Sequence, residues 1–532
     1  FACRDIEEAK IPSYIKYISP FCFEKCRLLQ KVQFSKDSKL ISIGKYAFSQ
    51  SSIESITIPK YCEQIQEGAF FKCDYLQSII FHEDSKLQII DEKAFSNSSL
   101  ISIKIPKHVK TIKRDAFSDC HLLINVTFHK NSELNFIGQQ SFMNSSLIEI
   151  KIPDQVKEID RKAFYQCRCL KDVYFPENSQ IVSIGDYAFF NTSIKNVYIP
   201  SKTKFIRVAA FAECNELENV SFGHNSELFY ISKNAFFLDP IKKIVVPASV
   251  KFIDNEAFFG EFDLQLEYET NSNIRKLNNF LSFGNSKRLF IPDNVKEIEV
   301  YDYFDEQIAQ ISLSPRNTYF KIIDEKIIVG KSDQNKKAFD ILIFACRDID
   351  KVKIPSQIKR ISSHCFEKCN KLTTVEFEPN SNLISIDEKA FESSMIENII
   401  IPNHVKTIGK NAFCNCQNLK SIKISDDSEL EFIDEDAFEK TSIKSIFLPK
   451  NLKPKSLQLF SNAIEFVSVS AKNKNIKVIN DKMIVEKSEE NKEEFDTLVF
   501  GFRDITSVTI PKYIKYISQY CFYNCQKLKK IN

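Results

Sequence analysis

Cysteine and histidine are the residues of this sequence that could bind a metal, form disulfides or catalyse a reaction. The chain has 16 cysteines and 7 histidines among 532 residues. Eight of the cysteines stand three residues after a phenylalanine at recurring intervals: Cys26, Cys73, Cys120, Cys167, Cys214, Cys369, Cys416 and Cys525. A disulfide needs Cα atoms within about 7 Å, so their chemistry depends on how the elements that carry them are spaced.

The remaining cysteine pairs predict no metal site. Cys22, Cys365 and Cys521 each form C-x-x-x-C with a cysteine of the series, which supplies two of the four ligands that a structural zinc needs. The C-x-C pairs at Cys167/Cys169 and Cys414/Cys416 place alternate residues on a turn, where they do not face each other.

The histidines and motifs predict no catalysis. His82 and His129 share one repeat position, and His108 and His404 share another, so neither pair meets within one unit. No H-E-x-x-H, G-x-S-x-G or phosphate-binding glycine loop occurs. We therefore predict no catalytic, cofactor-binding or metal-binding residues, and no enzyme.

A repeat of 47 residues sets the spacing of all these side chains. Six prolines are separated by 47 residues each: Pro12, Pro59, Pro106, Pro153, Pro200 and Pro247. A series of phenylalanines alternates spacings of 25 and 22 within the same period. A fixed period of this length is typical of a solenoid, in which each unit stacks on the last.

Each unit predicts one short strand followed by a turn. The first coil type reads I-P-x-x-V-x-x-I-x-x-x-A-F-x-x-C-x-x-L-x-x-V-x-F, as at residues 105–128, and the second begins with Ser-x-Leu. The alternating V-x-F ending predicts a parallel sheet, and A-F-x-x-C predicts a single helical or 3₁₀ turn. With strands about 4.8 Å apart, cysteines in every second coil lie too far apart for disulfides, so we expect a column of buried thiols.

The phenylalanine series predicts the spine of the core, because burying one such ring contributes about 1.5–3 kcal/mol. The series runs in unbroken register from Phe23 to Phe258, and the predicted spine residues within it are Phe48, Phe70, Phe95, Phe117, Phe142, Phe164, Phe189, Phe211 and Phe236.

This template resembles the BspA-like leucine-rich repeats of bacterial and protist surface proteins, with Ile, Val and Phe where many such repeats carry Leu. Together with this resemblance, the spacing predicts a β-rich α/β fold: a leucine-rich-repeat parallel β-solenoid of alternating 22- and 25-residue coils, interrupted by β-hairpin inserts. The resemblance implies a cell-surface or secreted protein acting in adhesion or recognition, with protein or glycan ligands and no catalytic residues to transfer. The alternative is an intracellular scaffold of the same fold, which the abundance of cysteines favours.

Two matching segments interrupt the repeat. Residues 317–348 parallel residues 473–504 at an offset of 156, and each reads as strand, tight turn, strand, polar loop and strand. They predict either hairpins that project from the solenoid or spacers that continue its sheet. The predicted organisation is an insert tail at 1–10, a repeat block at 11–262, degenerate repeats at 263–310, an insert at 311–349, a second block at 350–466, a second insert at 467–505 and a truncated third block at 506–532.

The charge balance and the lengths of the apolar runs argue against some classes of partner. Lysine and arginine number 73 against 70 acidic residues, with both signs interspersed, which argues against nucleic acid. No apolar run approaches the length of a membrane span. Because the chain begins and ends within repeats, we expect it to be a segment of a longer protein.

The outward residues of the strands are the predicted contact surface, with protein or glycan ligands as expected partners. Serine, threonine and asparagine dominate these positions, and two tyrosines stand next to each other, so the stretch from Asp172 to Tyr198 is the favoured patch; a merely solvated face explains the same residues. Three of the five N-x-S/T sequons, which occur at Asn97, Asn125, Asn144, Asn191 and Asn219, share one turn position. We name as the contact face Asn125, Thr127, Glu149, Lys151, Asp172, Tyr174, Asn196, Tyr198, Asn219 and Ser221.

Overall fold

The computed structural model of the protein describes most of the chain and divides it into two compact units. The first unit comprises Phe1–Arg275 and Ser282–Ser286, and the second Lys276–Leu281 and Lys287–Asn532. The described residues are 5–254, 256–260, 264–278, 287–300, 308–333, 335, 337–434, 436–453, 464–489, 493–519, 521–523 and 525–532. The predicted insert tail at 1–10 therefore lies partly outside the described residues.

One parallel sheet, here called the long sheet, runs through the first unit and follows chain order by odd-numbered strands. In most of these strands, as in β11, a buried aliphatic residue alternates with more exposed neighbours, as the sequence pattern predicts. The strands are β1 (Glu8–Ile11), β3 (Lys31–Phe34), β5 (Ser55–Ile58), β7 (Ser78–Phe81), β9 (Ser102–Ile105), β11 (Asn125–Phe128), β13 (Glu149–Lys151), β15 (Asp172–Tyr174), β17 (Asn196–Ile199), β19 (Asn219–Phe222), β21 (Lys243–Val246) and β23 (Gln265–Tyr268).

A second parallel sheet of two-residue strands, here called the short-strand sheet, is formed by the even-numbered strands of the same coils. The sequence pattern did not separate it from the following turn. Its strands are β2 (Tyr17–Ile18), β4 (Ser42–Ile43), β6 (Gln64–Ile65), β8 (Ile89–Ile90), β10 (Thr111–Ile112), β12 (Phe136–Ile137), β14 (Glu158–Ile159), β16 (Ser183–Ile184), β18 (Phe205–Ile206), β20 (Tyr230–Ile231) and β22 (Phe252–Ile253).

The helical turn expected at A-F-x-x-C is not found, since no helix occurs among the described residues. The segment instead forms successive tight turns, with residues such as Tyr46 and Gln50 at φ 51° and 57°. Alternate amides of this segment donate hydrogen bonds to the next coil. Phe48 N donates to Ala69 O of the next coil at 2.8 Å, whereas Ser49 N donates to Tyr46 O of its own coil at 3.2 Å. In a helix each amide donates to the carbonyl four residues earlier in the same segment, so the bonds to the next coil favour turns over a helix.

The phenylalanines predicted as a spine stack face to face through the first unit. From Phe23 to Phe258, successive ring centroids are between 5.1 Å and 5.5 Å apart. The rings from Phe48 to Phe236 are fully buried. Each ring therefore packs against its neighbours in the two adjacent coils, which makes the core continuous along the stack.

The described residues of the second unit form seven sheets. β24 (Lys276–Asn278) pairs with β26 (Glu297–Glu299), and β25 (Arg288–Ile291) with β27 (Gln310–Leu313). A seven-stranded sheet contains β28 (Phe320–Ile323), β29 (Ile327–Gly330), β30 (Ile341–Ala345), β32 (Arg360–Ile361), β34 (Ser385–Ile386), β36 (Thr407–Ile408) and β38 (Phe432–Ile433). A four-stranded sheet contains β31 (Lys351–Ile354), β33 (Thr374–Phe377), β35 (Asn398–Ile400) and β37 (Ser421–Lys423). The remaining strands are β39 (Ser445–Leu448) with β40 (Phe466–Val469), then β41 (Ile476–Ile479), β42 (Met483–Glu486), β43 (Thr497–Gly501) and β45 (Tyr516–Ile517), and β44 (Ser507–Val508) with β46 (Lys530–Ile531).

The two interrupting segments have the same topology. β28 and β29 pair antiparallel, β29 and β30 pair antiparallel with a bulge at Ile328/Val329, and β30 then pairs parallel with β32. β41, β42, β43 and β45 repeat this arrangement, including the bulge. The third strand of each segment thus joins a sheet with the first short strand of the coils that follow.

Candidate functional site

The register of the long sheet aligns the contact face into two rows. Cα pairing joins Asn125 to Glu149, Glu149 to Asp172, Asp172 to Asn196 and Asn196 to Asn219. In the second row Lys151 pairs with Tyr174 and Tyr198 with Ser221, while Thr127 pairs with Lys104 of the preceding strand. The residues between the rows are buried, namely Val126, Ile150, Val173, Val197 and Val220.

The middle of the contact face combines two carboxylates, an amine and an aromatic ring. Glu149 and Asp172 are paired neighbours, and Lys151 Nζ lies 5.7 Å from the centroid of the Tyr174 ring. Tyr174 is 47% exposed, and the charge of Asp172, followed by desolvation and Glu149, raises the pKa of its phenol. This cluster can donate and accept hydrogen bonds and can stack on a ligand.

The far end of the contact face carries amides. Asn219 Nδ2 donates to Asn196 Oδ1 at 2.7 Å. Tyr198 is half-buried, because its hydroxyl leans over the next coil towards Gly223. The two tyrosines that the sequence paired are therefore unequal, and Tyr174 is the more available.

The cysteine series lies in the core. In the first unit, Cys120 Sγ donates to Phe95 O of the preceding coil at 3.0 Å and lies 3.4 Å from Ser98 Oγ. The same contacts recur around Cys73 and Cys167. Burial raises the pKa of Cys120 to about 11 and that of Cys167 to about 12, so these thiols are poor nucleophiles at neutral pH.

The other cysteines bring no metal ligands together. Cys3 lies outside the described residues, and the fifteen others are thiols rather than disulfides. Within the described ranges, no three His, Cys, Asp or Glu side chains are grouped so that they could hold a metal ion. Beside the C-x-x-x-C pair at Cys365/Cys369, the Arg347 guanidinium lies 3.8 Å from Cys369 Sγ, and its positive charge opposes cation binding.

The histidines are used in local contacts. His82 Nδ1 accepts a bond from Asp84 N at 3.0 Å, and His129 Nδ1 accepts one from Asn131 N at 3.1 Å. His108 contacts Glu133 in the adjacent coil at 3.0 Å. These bonds shape the loops after the strands and bring no histidine to a nucleophile.

The turn sequons have a structural origin. Asn97, Asn144 and Asn191 occupy left-handed positions at φ 56°, 58° and 54°, a conformation that asparagine tolerates. The hydroxyl two residues later donates to a carbonyl of the preceding coil, as Ser193 Oγ does to Arg168 O at 2.8 Å. The repeat therefore selects Asn-x-Ser/Thr here for backbone and packing reasons.

Sequence reasoning missed a group of aromatic residues on the short-strand sheet, here called the aromatic patch, of which two are exposed and two half-buried. It consists of Phe205, Phe229, Tyr230 and Phe252. Its signal was present: three of these residues stand six positions before a spine phenylalanine. That position varies freely between coils, so no template marks it.

The comparisons with known proteins identify the repeat. The family model described as "BspA type Leucine rich repeat region (6 copies)" matches residues 1–124, 135–265, 230–322, 338–483 and 490–532. No curated protein matches the chain. In the part of the chain that the structure describes, no helix is long and apolar enough to cross a membrane.

Several solved structures are similar in part. A leucine-rich repeat protein from Bacteroides ovatus shares 21% identity over 84% of this chain and 88% of its own, with a TM-score of 0.36. The pneumococcal vaccine antigen PcpA shares 17% identity over 76% of this chain and 85% of its own, with a TM-score of 0.30. A leucine-rich cell surface protein from Faecalibacterium prausnitzii shares 16% identity over 99% of this chain and 87% of its own, with a TM-score of 0.22.

Proposed function

The chain belongs to the BspA-type leucine-rich repeat family, and from this premise we propose that it is a non-enzymatic recognition protein. It acts at a cell surface or after secretion, in adhesion or in binding to other proteins or glycans. Its contact face on the long sheet carries the interaction.

The observation that carries the proposal is the alignment of Glu149, Lys151, Asp172 and Tyr174 on two adjacent strands. These side chains point outward from a β-sheet, so a ligand can bind them without ordering the backbone that carries them. Tyrosine with flanking charges is a common anchor of protein interfaces. The inert thiols and the locally bonded histidines support a binding role over a catalytic one.

The alternative, an intracellular scaffold, is favoured by the many thiols, since disulfides are rare in reducing compartments. Burial weakens this argument. The thiolate is the form that oxidises, and the raised pKa of Cys73, to about 12, keeps that thiol protonated. A column of such thiols also persists outside the cell.

Protease shaving of intact cells distinguishes the two locations. For a surface or secreted protein, trypsin added outside the cells removes the chain, or the culture medium contains it. Full protection until the cells are lysed, with none in the medium, would support the scaffold instead.

The contact face is tested with the purified chain on arrays of glycans and of extracellular-matrix proteins. For the ligand bound most tightly, the double variant Asp172→Asn, Tyr174→Ser should weaken binding by about tenfold or more, the usual effect of losing an interface anchor. The matched control, Ser55→Asn with Thr57→Ser, alters the same two positions on β5 and should leave the affinity unchanged. Equal losses in both variants would place the binding site elsewhere.

A further inference from the structure

The aromatic patch is a continuous feature of three successive coils. Cα pairing in the short-strand sheet joins Phe205 to Tyr230 and Tyr230 to Phe252. The Phe229 ring centroid lies 6.3 Å from that of Phe205 and 5.5 Å from that of Phe252, and the Tyr230 ring lies 6.2 Å from that of Phe252. The four rings therefore form one contiguous apolar surface.

Two of the four rings, Phe229 and Phe252, are exposed and the other two are half-buried, although the core beneath them is complete. Phe252 is 55% exposed and Phe229 36% exposed, while Ile206, Ile231 and Ile253 of the same strands fill the core. The two preceding strands, β14 and β16, have Glu158 and Ser183 at the first position. Folding thus accepts polar residues here, so stability does not require the aromatic rings, and clustered exposed aromatics mark interaction sites.

Two cations lie on the rings. The Arg207 guanidinium carbon is 4.8 Å from the centroid of Phe205, and Lys251 Nζ is 5.3 Å from that of Phe229. Among the described residues, neither cation forms an ion pair, and each remains available to an anion.

The carboxylates around the patch already have partners in this chain. Glu227 pairs with Lys204 at 3.4 Å, and Glu256 with Lys233 at 3.3 Å. Asp254 accepts a hydrogen bond from the Tyr230 hydroxyl at 2.5 Å. The two cations that lie on the rings of the patch are therefore left for an external negative charge.

We propose that the aromatic patch, with Arg207 and Lys251, binds an acidic protein segment that carries apolar side chains. An apolar side chain of that segment packs on Phe252 and the exposed part of Phe229, and carboxylates next to it pair with Arg207 and Lys251. A sugar would need open ring faces for stacking, whereas one face of Phe205 and one of Phe229 are covered by the cations. The covered faces of Phe205 and Phe229 favour a peptide over a glycan as the partner.

This second surface is separate from the contact face, because it belongs to the short-strand sheet rather than the long sheet. Substitutions at the contact face should leave it unaffected. Failure of one proposal is therefore distinguishable from failure of the other.

The test measures fluorescence anisotropy of a labelled peptide in which phenylalanine and leucine are flanked by aspartates, titrated with the full chain. We expect saturable binding that weakens as salt is added. A peptide with lysine in place of aspartate, and one with serine in place of the apolar residues, should each bind at least about tenfold more weakly, because each lacks one of the two contacts.

Variants then locate the binding. Lys251→Gln should weaken binding of the acidic peptide about threefold, and Phe252→Thr should weaken it about tenfold. An exposed aromatic anchor contributes more to affinity than a charge at the rim. The matched controls are Lys157→Gln and Ile89→Thr, which alter the same repeat positions in other coils and should bind like the wild type. Thr111 shows that threonine fits this position, and a melting curve checks the fold.

Three outcomes would overturn the proposal. The first is no saturable binding of the acidic peptide up to about 1 mM. The second is binding that Phe252→Thr and Lys251→Gln leave unchanged. The third is displacement of the peptide from the patch by sialyllactose at lower concentration than by the unlabelled peptide, which would assign the site to acidic glycans.

Discussion

In several coils a serine or threonine stands three residues after the spine phenylalanine. In the coil of Phe236 this residue is Asp239. Equivalent residues such as Ser145 and Thr192 bond the thiol of the next coil. Asp239 is 5% exposed, and one of its carboxylate oxygens accepts a bond from Cys214 N at 2.8 Å. The other oxygen has no hydrogen-bond partner among the described residues, and burial raises the pKa of this carboxyl well above 3.8.

Because its pKa is raised, Asp239 makes the first unit less stable at neutral pH than in mild acid. The folded state holds the proton over a range where the unfolded state, with a pKa near 3.8, has released it. Stability from this group is therefore full below the unfolded pKa and is lost as the pH rises towards the folded pKa. We expect Asp239→Ser to raise the free energy of unfolding at pH 7 by about 1–3 kcal/mol, the usual cost of an unsatisfied buried polar group.

Urea titrations at several pH values check this prediction. The difference between Asp239→Ser and the wild type should shrink as the pH falls towards 4, and the control Thr192→Ser should show little pH dependence. A variant that is no more stable than the wild type at pH 7 would contradict it.

At the scale of secondary-structure elements, one arginine joins each segment between repeat blocks to the coil that follows it. Arg347 follows β30 and is 3% exposed. Its Nη1 donates to Ala345 O at 3.2 Å and to Cys365 O at 2.9 Å, and Nη2 donates to His364 O at 3.2 Å. Arg503 makes the corresponding bonds to Gly501 O and Cys521 O after β43. The guanidinium thus binds carbonyls of the first turn that follows each segment.

Arg347→Met should lower the free energy of unfolding of the second unit by about 3 kcal/mol or more, because it leaves several buried carbonyls without a charged donor. Arg347→Lys should be intermediate, since an ammonium lacks the planar fork. The control is Arg360→Met, which removes an ion pair between an exposed arginine and the half-buried Asp387 and should change stability by about 1 kcal/mol or less. A urea midpoint for Arg347→Met equal to that of Arg360→Met would refute the role of Arg347.

The sequence predicted the long sheet and the spine phenylalanines because period-2 alternation and the 47-residue register are both local patterns. It mispredicted the A-F-x-x-C turn, since the deciding bonds, such as Phe48 N to Ala69 O, join residues of different coils. It missed the aromatic patch for a different reason. Phe205 and Phe252 sit where other coils have serine or glutamate, so only the register of neighbouring strands shows that they meet.

For the molecule as a whole, the bonds between coils imply that its natural unit is the double coil. In the first unit, four core cysteines (Cys73, Cys120, Cys167 and Cys214) each contact a hydroxyl 22 residues earlier and a phenylalanine carbonyl 25 residues earlier, as Cys167 contacts Ser145 and Phe142. Removing residues 106–152 joins Ile105 to Pro153 and keeps this alternation, because Cys167 then follows Ser98 and Phe95 at the same spacings. Removing residues 96–117 takes out one coil and places Cys120 directly after the coil of Cys73, so that two thiols become neighbours where a thiol and a hydroxyl are neighbours in the wild type.

Thermal melting should therefore show one cooperative transition within about 5 °C of the wild type for the double-coil deletion. The single-coil deletion, although shorter, should melt more than about 5 °C lower, since roughly 2 kcal/mol shifts the melting temperature by that amount. Equal melting temperatures for the two deletions would mean that single coils are interchangeable and that the alternation of cysteine and hydroxyl does not stabilise the stack.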